Sequence, residues 1–391
     1  MLQFAVYITF FLATGLFASA QTQVGPPSPP QASPPDVPLY RLSFSRGETV
    51  PGISSTLAIR LPFECTSDGV IFVSFISGVP VGSGLPPLPP GVMPTQLTSI
   101  PRTGAAHTFR LDQIPDLYVS RDEGDFASDS EVVLLVRASR ENKPEKHPYA
   151  VGSYHGEYTR NAAEQHLFIL VFDRDGNYKR FVEPPETLEI EKLAVFSSGT
   201  FLAFGFDKKD HSPKLVMLKE DGAFLKSLEI PKGDAPTSLI SADDAKTPHA
   251  VLPSQLVMEG RSILLAQTGS AYPLLEVDEG GSVWTIRPKL PKGEQIEAVI
   301  PSNRDIYLIA GPEAPRDAKA TVRGSEEKIY QVSRDDGSLR GRFAVTEERM
   351  DPDSVACVND GKFLSIDYAD GKVVPLIGSP EPTLSRQGNQ P

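Results

Sequence analysis

Three histidines fall in one stretch, HPYAVGSYHGEYTRNAAEQH (147–166): His147, His155 and His166, with Glu157 among them. Imidazole and carboxylate are usable ligands for a divalent metal. Their spacing matches no compact zinc pattern, so the competing expectation is a solvated, polar-aromatic insertion. The acidic stretch DRDGN (173–177) invites a calcium-loop reading. Such a loop needs a carboxylate two residues earlier and a glutamate at its end. Val171 and Val182 stand there, and a hairpin turn accounts for the stretch instead. Cys65 and Cys357 are the only cysteines, and they suit either one disulfide or two separate buried thiols. No G-x-S-x-G, H-E-x-x-H or Walker loop is present. No cofactor is predicted, with a divalent metal as the one candidate.

The elements that must carry these residues recur along the chain. An apolar strand, an acidic-Gly turn and a second strand appear in HLFILVFDRDGNYKRFVEP (166–184) and KLVMLKEDGAFLKSLEIP (214–231). They return in YPLLEVDEGGSVWTIRPKLP (272–291), KIYQVSRDDGSLRGRFAV (328–345) and, shortened, FLSIDYADGKVVPLIG (363–378). Asp-Gly between two period-2 apolar runs is a strong hairpin signal, because Gly accepts the positive φ a tight turn needs. A second hairpin precedes most of these, as in LAVFSSGTFLAFGF (193–206) and EAVIPSNRDIYLIAG (297–311). Two hairpins make four antiparallel strands, the repeat of a β-propeller blade.

The sequence therefore predicts an all-β propeller over 39–378 with six blades preferred. Blades fall near 117–186, 189–231, 253–291 and 296–345, with a diverged one over 65–115. The run STLAIRLPF (55–63) is expected to complete the last blade, near 353–378, and close the ring. A Cys65–Cys357 bond would then staple it. Short helices are expected only in insertions, for example near Arg160–Gln165. Trp284 is expected to pack between blades, with an exposed ligand platform as the other reading. The charged run 313–328 reads as a solvated loop and a second long insertion.

Outside the repeat, an apolar run from Phe4 to Phe17 ends in Ala18-Ser19-Ala20. This resembles a signal peptide over 1–20 cleaved before Gln21, although it lacks an early Lys or Arg. An uncleaved anchor is the alternative. Residues 21–38 form a proline-rich linker, and 379–391 a disordered tail. The expected location is outside the cytoplasm, periplasmic or extracellular, with no membrane span after cleavage. The net charge of −12 repels phosphate backbones, which argues against nucleic acid.

The segment GTFLAFGFDKKDHSPKLVMLKEDGAFLKSLEIP (199–231) resembles NHL-type and related six-bladed propeller repeats. That resemblance implies fold more than function. Some six-bladed propellers are metal-dependent lactonases or esterases with carboxylate ligands on their innermost strands. The positions here that open blades are Asp116, Glu191, Glu297 and Asp353. Two functions follow as expectations. The first is a binding module for a protein, a glycan or an envelope component. The second is a metal-dependent hydrolase working in the central channel.

Overall fold

Two kinds of run decide the elements. Runs such as HLFILVF and SILLA are almost wholly apolar and suit strands buried on both faces. Runs such as YKRFV, FLKS and VWTI are shorter and mixed, and suit sheet edges in contact with water. The structure, a computed structural model, describes residues 37–50, 58–66, 68–76, 95–128, 130–151, 154–229, 255–259, 261–266, 273–302, 305–312, 327–345, 354–369 and 372–383. Within them the fold is all-β, with one 3-10 turn at Leu111–Gln113.

The first strand in the chain, β1 (Leu39–Arg46), belongs to the last part of the architecture. Next, β2 (Ala58–Cys65), β3 (Ile71–Ile76), β4 (Thr95–Ile100) and β5 (His107–Thr108) pair in order as an antiparallel sheet. The second sheet begins with β6 (Tyr118–Ala127) and β7 (Val132–Ser139). The chain then leaves it as a separate two-stranded ribbon, β8 (Pro144–Val151) and β9 (Tyr154–Asn161). It returns as β10 (His166–Phe172) and β11 (Tyr178–Val182). The third sheet is β12 (Leu188–Val195), β13 (Phe201–Asp207), β14 (Pro213–Leu218) and β15 (Phe224–Ser227). The fourth is β16 (Gln255–Glu259), β17 (Ser262–Ala266), β18 (Leu274–Asp278) and β19 (Val283–Ile286).

The remaining strands form one eight-stranded sheet. One half runs β20 (Glu294–Ile300), β21 (Ile306–Pro312), β22 (Lys328–Val332) and β23 (Leu339–Val345). The other half runs β24 (Val355–Asn359), β25 (Lys362–Ala369), β26 (Lys372–Pro382) and then β1. β1 is antiparallel to β26 and parallel to β23, so it joins the two halves.

The first strands touch in a closed cycle: β2, β6, β12, β16, β20, β24 and back to β2. They therefore surround a common axis, with the later strands of each run further out. That is the arrangement of a β-propeller. The core lies between consecutive sheets. Phe72 and Leu97 pack with Leu134 and Phe168, while Leu264 and Ile286 pack with Leu308 and Tyr330. Ile71 and Val73 of the first sheet meet Ala356 and Leu364 of the last. No helix of the described residues is long and apolar enough to cross a membrane.

Three expectations are corrected. The strand that completes the last run is LYRLSFSR (β1), whereas the 55–63 segment contributes to β2, the first strand of the first sheet. β1 is preferred at that edge because β26 offers it a seven-pair register from Tyr40↔Pro382 to Arg46↔Leu376. That pairing also draws Ser379–Pro382, read as tail, into β26. Residues 160–165 contain no helix, because the end of β9 occupies Arg160 and Asn161.

Candidate functional site

An antiparallel run puts its first-to-second and third-to-fourth turns at one end. Its second-to-third connection and its links to neighbouring sheets lie at the other end. Here the two ends of the ring differ. At the first end the turns are short and closed by backbone hydrogen bonds. Asp173 donates to Asn177, Phe196 to Thr200, Lys219 to Ala223 and Asp278 to Ser282. In four of the runs a residue near the start of the third-to-fourth turn bridges to the preceding sheet. Arg174 binds Asp68 at 2.7 Å, and Arg180 of the preceding sheet lies 3.2 Å from Glu220. Glu279 accepts the Ser198 N–H at 2.9 Å, and Arg334 pairs with Glu276. Burial works against ionisation of Asp68, but hydrogen bonds from Arg174 and Thr66 hold its carboxyl below the usual range. This end is committed to holding sheets together.

The opposite end carries the β8–β9 ribbon, inserted between the second and third strands of its sheet. The ribbon is fixed at its base by Asn161. The Asn161 side-chain oxygen accepts the backbone N–H groups of Lys143 and Ala163, and its amide donates to the Glu141 carbonyl. Gln165 continues the brace by donating to the Ala163 carbonyl and accepting from the Ser120 hydroxyl.

Beside this base lies a groove of about 400 Å³ between the second and third sheets. Leu167, Leu188, Pro184 and Pro185 give it apolar surface. Charges surround that surface. Arg140 pairs with Glu183 and lies over the Phe181 ring at 5.1 Å. Lys143 pairs with Glu141 and, through that hydrogen bond, holds its carboxyl below the usual range. Lys208 lines the groove from the third sheet. An apolar surface with both signs of charge around it can take a mixed-charge segment and fix its direction.

The candidate metal ligands are dispersed. His147 lies on β8, His155 on β9 and His166 at the start of β10. His147 is within 3.1 Å of Glu145, and His166 within 3.9 Å of Glu164. Glu191 and Glu297 occupy matching register shifts in β12 and β20, and Glu297 accepts a hydrogen bond from Gln295 at 2.8 Å. Asp353, the 346–353 stretch and the insertion 313–326 lie outside the described residues. Asp116 precedes β6 at positive φ and acts electrostatically on Tyr178 of the outer strand β11. No group of three or more His, Cys, Asp or Glu positioned for a metal occurs among the described residues.

In DRDGN the Asp173 carboxylate is used by its own turn. It accepts from the N–H groups of Asp175 and Asn177 and from the Asn177 side chain. Cys65 and Cys357 form a disulfide across 292 positions, joining β2 to β24. Trp284 is 48 % exposed on β19, the outermost strand of its sheet, and does not pack between sheets. Sequence reasoning missed the groove and the reaching-back residues. The latter had a signal: Arg174, Glu220, Glu279 and Arg334 recur shortly before the turn glycines.

No family model and no curated protein matches this chain. Among solved structures it is similar to the Neurospora crassa Pan2 WD40 domain, at 12 % identity and a TM-score of 0.36, covering 85 % of this chain and 90 % of that one. It is also similar to Porphyromonas gingivalis dipeptidyl peptidase 4, at 10 % identity and a TM-score of 0.29, covering 80 % of this chain and 56 % of that one. At these scores the fold rests on the strand pairings above, and neither likeness carries a functional argument.

Proposed function

We propose that this chain is an exported, six-bladed β-propeller that works as a binding module. Its ligand is a polypeptide segment of mixed charge, held in the groove at the base of the ribbon. The observation that carries this reading is the asymmetry of the ring. One end is used up in sheet-to-sheet contacts, while the other projects a braced ribbon beside a mainly polar, charged groove with a small apolar floor. Six first strands in a closed cycle support the blade count, and the Asp-Gly turns support an NHL-type arrangement. The run Phe4–Phe17 followed by Ala18-Ser19-Ala20 supports export to the periplasm or beyond. A glycan or another envelope component is the competing ligand class. Among the described residues a hydrolase reading rests on Glu191 and Glu297, and Asp353 lies outside them.

The experiment is a parallel screen of the folded protein on mixed-charge peptides and on glycans. Leu167→Glu and Lys208→Glu alter the groove, and Lys362→Glu serves as a control near the opposite end. Peptide binding lost in the first two and kept in the third supports the proposal. Binding indifferent to the groove variants, or to glycans alone, overturns it. Protein recovered from the producing cells should begin at Gln21, whereas retention of Met1 would overturn cleavage.

A further inference from the structure

We propose that the β8–β9 ribbon is a self-association element. Two copies of the chain pair through their β9 edges, in antiparallel register about Gly156, to make a four-stranded sheet β8-β9-β9-β8 across a two-fold axis.

The ribbon pairs Pro144 with Asn161, Lys146 with Thr159, Pro148 with Glu157 and Ala150 with His155. Proline has no N–H, so these are the rungs without hydrogen bonds, and the groups of those residues point away from the ribbon. The Ala162 N–H donates to the Lys143 carbonyl at 2.8 Å, which continues the alternate set of rungs. On the outer edge of β8, Pro144 and Pro148 therefore remove donors, as protected edges do. On the outer edge of β9 the corresponding residues are His155, Glu157 and Thr159, all exposed and none a proline. Among the described residues β9 pairs with no strand other than β8. One blunted edge and one open edge allow a closed pair and disfavour a growing stack.

The occupant follows from charge and from strand number. A lone two-stranded ribbon is marginal in water, and added strands strengthen it. Backbone parity restricts a β9-to-β9 pairing to a few registers. A pairing centred on Glu157 sets two carboxylates against each other, and one centred on Tyr158 sets Glu157 against Thr159. The pairing centred on Gly156 sets each His155 against Glu157 of the second copy, twice by symmetry, beside the Lys146 that already lies 3.5 Å from that carboxylate. It also keeps the braced base at Asn161 clear of the interface. A contact this small is weak, so dimer should appear only at high protein concentration.

Sedimentation equilibrium of the complete folded chain over micromolar to millimolar concentrations tests this. A monomer–dimer equilibrium is expected. Glu157→Pro should abolish it without disturbing the ribbon, because that N–H points outward. Glu157→Lys, compared with wild type below about pH 6 where an imidazole is protonated, should weaken it about tenfold, through two like-charged pairs. The double variant His155→Glu with Glu157→Lys should restore it, which keeps the test decisive if the proline variant fails to fold. A monomer at every concentration, growth beyond a dimer, or a dimer indifferent to these changes would overturn the proposal.

Discussion

The two ends of the ring obey different rules. At the tight-turn end several positions are dictated by a neighbouring sheet: Gly176, Gly222, Gly281 and Gly337 fit against the preceding one, and a charged side chain reaches across the gap. At the ribbon end the chain leaves its sheet and returns at a braced base, and few of its residues touch another sheet. Closing a propeller constrains one end and leaves the other free to acquire surface. Substitutions should therefore cost stability at the first end and association or binding at the second.

The largest effect should come from Gly337→Ala. This glycine sits at φ +70, and a Cβ there would overlap the Arg287 carbonyl of the preceding sheet. We expect a loss of about 3 kcal/mol or more, read as a fall in thermal midpoint. Gly176 shares the conformation, at φ +85, but its Cβ would stand 3.4 Å from the Thr108 carbonyl oxygen. Gly176→Ala should cost about 1 kcal/mol, chiefly as strain. Equal effects would mean that the fit between sheets is unimportant.

Next in size is the Cys65–Cys357 bond. Replacing both cysteines with alanine should cost about 2–4 kcal/mol, because the bond closes a long loop in the unfolded chain. Comparing reduced and oxidised wild-type protein by thermal denaturation checks it.

Smaller again are the ion pairs. Arg334→Ala leaves Glu276, whose side chain is only 14 % exposed, with the Ser262 hydroxyl but without its cation, and should cost about 2 kcal/mol. Arg174→Ala meets an exposed Asp68 and should cost about 0.5 kcal/mol. The Asp68 carboxyl is depressed below 3.8 in the folded state. Its contribution is therefore present above pH 3.8 and lost as pH falls through the folded value. A pH series of wild type and Asp68→Asn should show the two converging in acid. The smallest effect should follow excision of 145–160 with a short turn in its place, leaving the Asn161 brace intact, a shift within about 0.5 kcal/mol. A large shift there would erase the contrast between the ends.

Much of the tight-turn end was legible in the sequence, because its determinants are local. Asp175-Gly176 and Asp221-Gly222 announce turns through glycine's tolerance of positive φ. Closure was not legible in the same way. LYRLSFSR has no hairpin partner nearby, and its pairing with β26 spans most of the chain. The 55–63 segment is also largely apolar, and nothing local separates the two as closing strands. PEKHPYAV carries two prolines and reads poorly as a strand, yet both fall where the ribbon needs no donor. Trp284 looked like core because its type favours burial, but the fourth strand is the wet edge of its sheet. The histidines do not form a cluster of three: His147 and His155 lie three rungs apart on the ribbon, and His166 opens the returning strand.

The pairing of β26 with β1 has a topological consequence. The Thr383 N–H donates to the Leu39 carbonyl at 3.0 Å, so the last and first strands meet at the tight-turn end. The described strands thus run through nearly a full circle that opens there. A circular permutant joined between Thr383 and Leu39 by a few residues, and reopened between Pro312 and Lys328, would keep every strand pairing described. The order in which the strands are synthesised would then be separable from the ring they form.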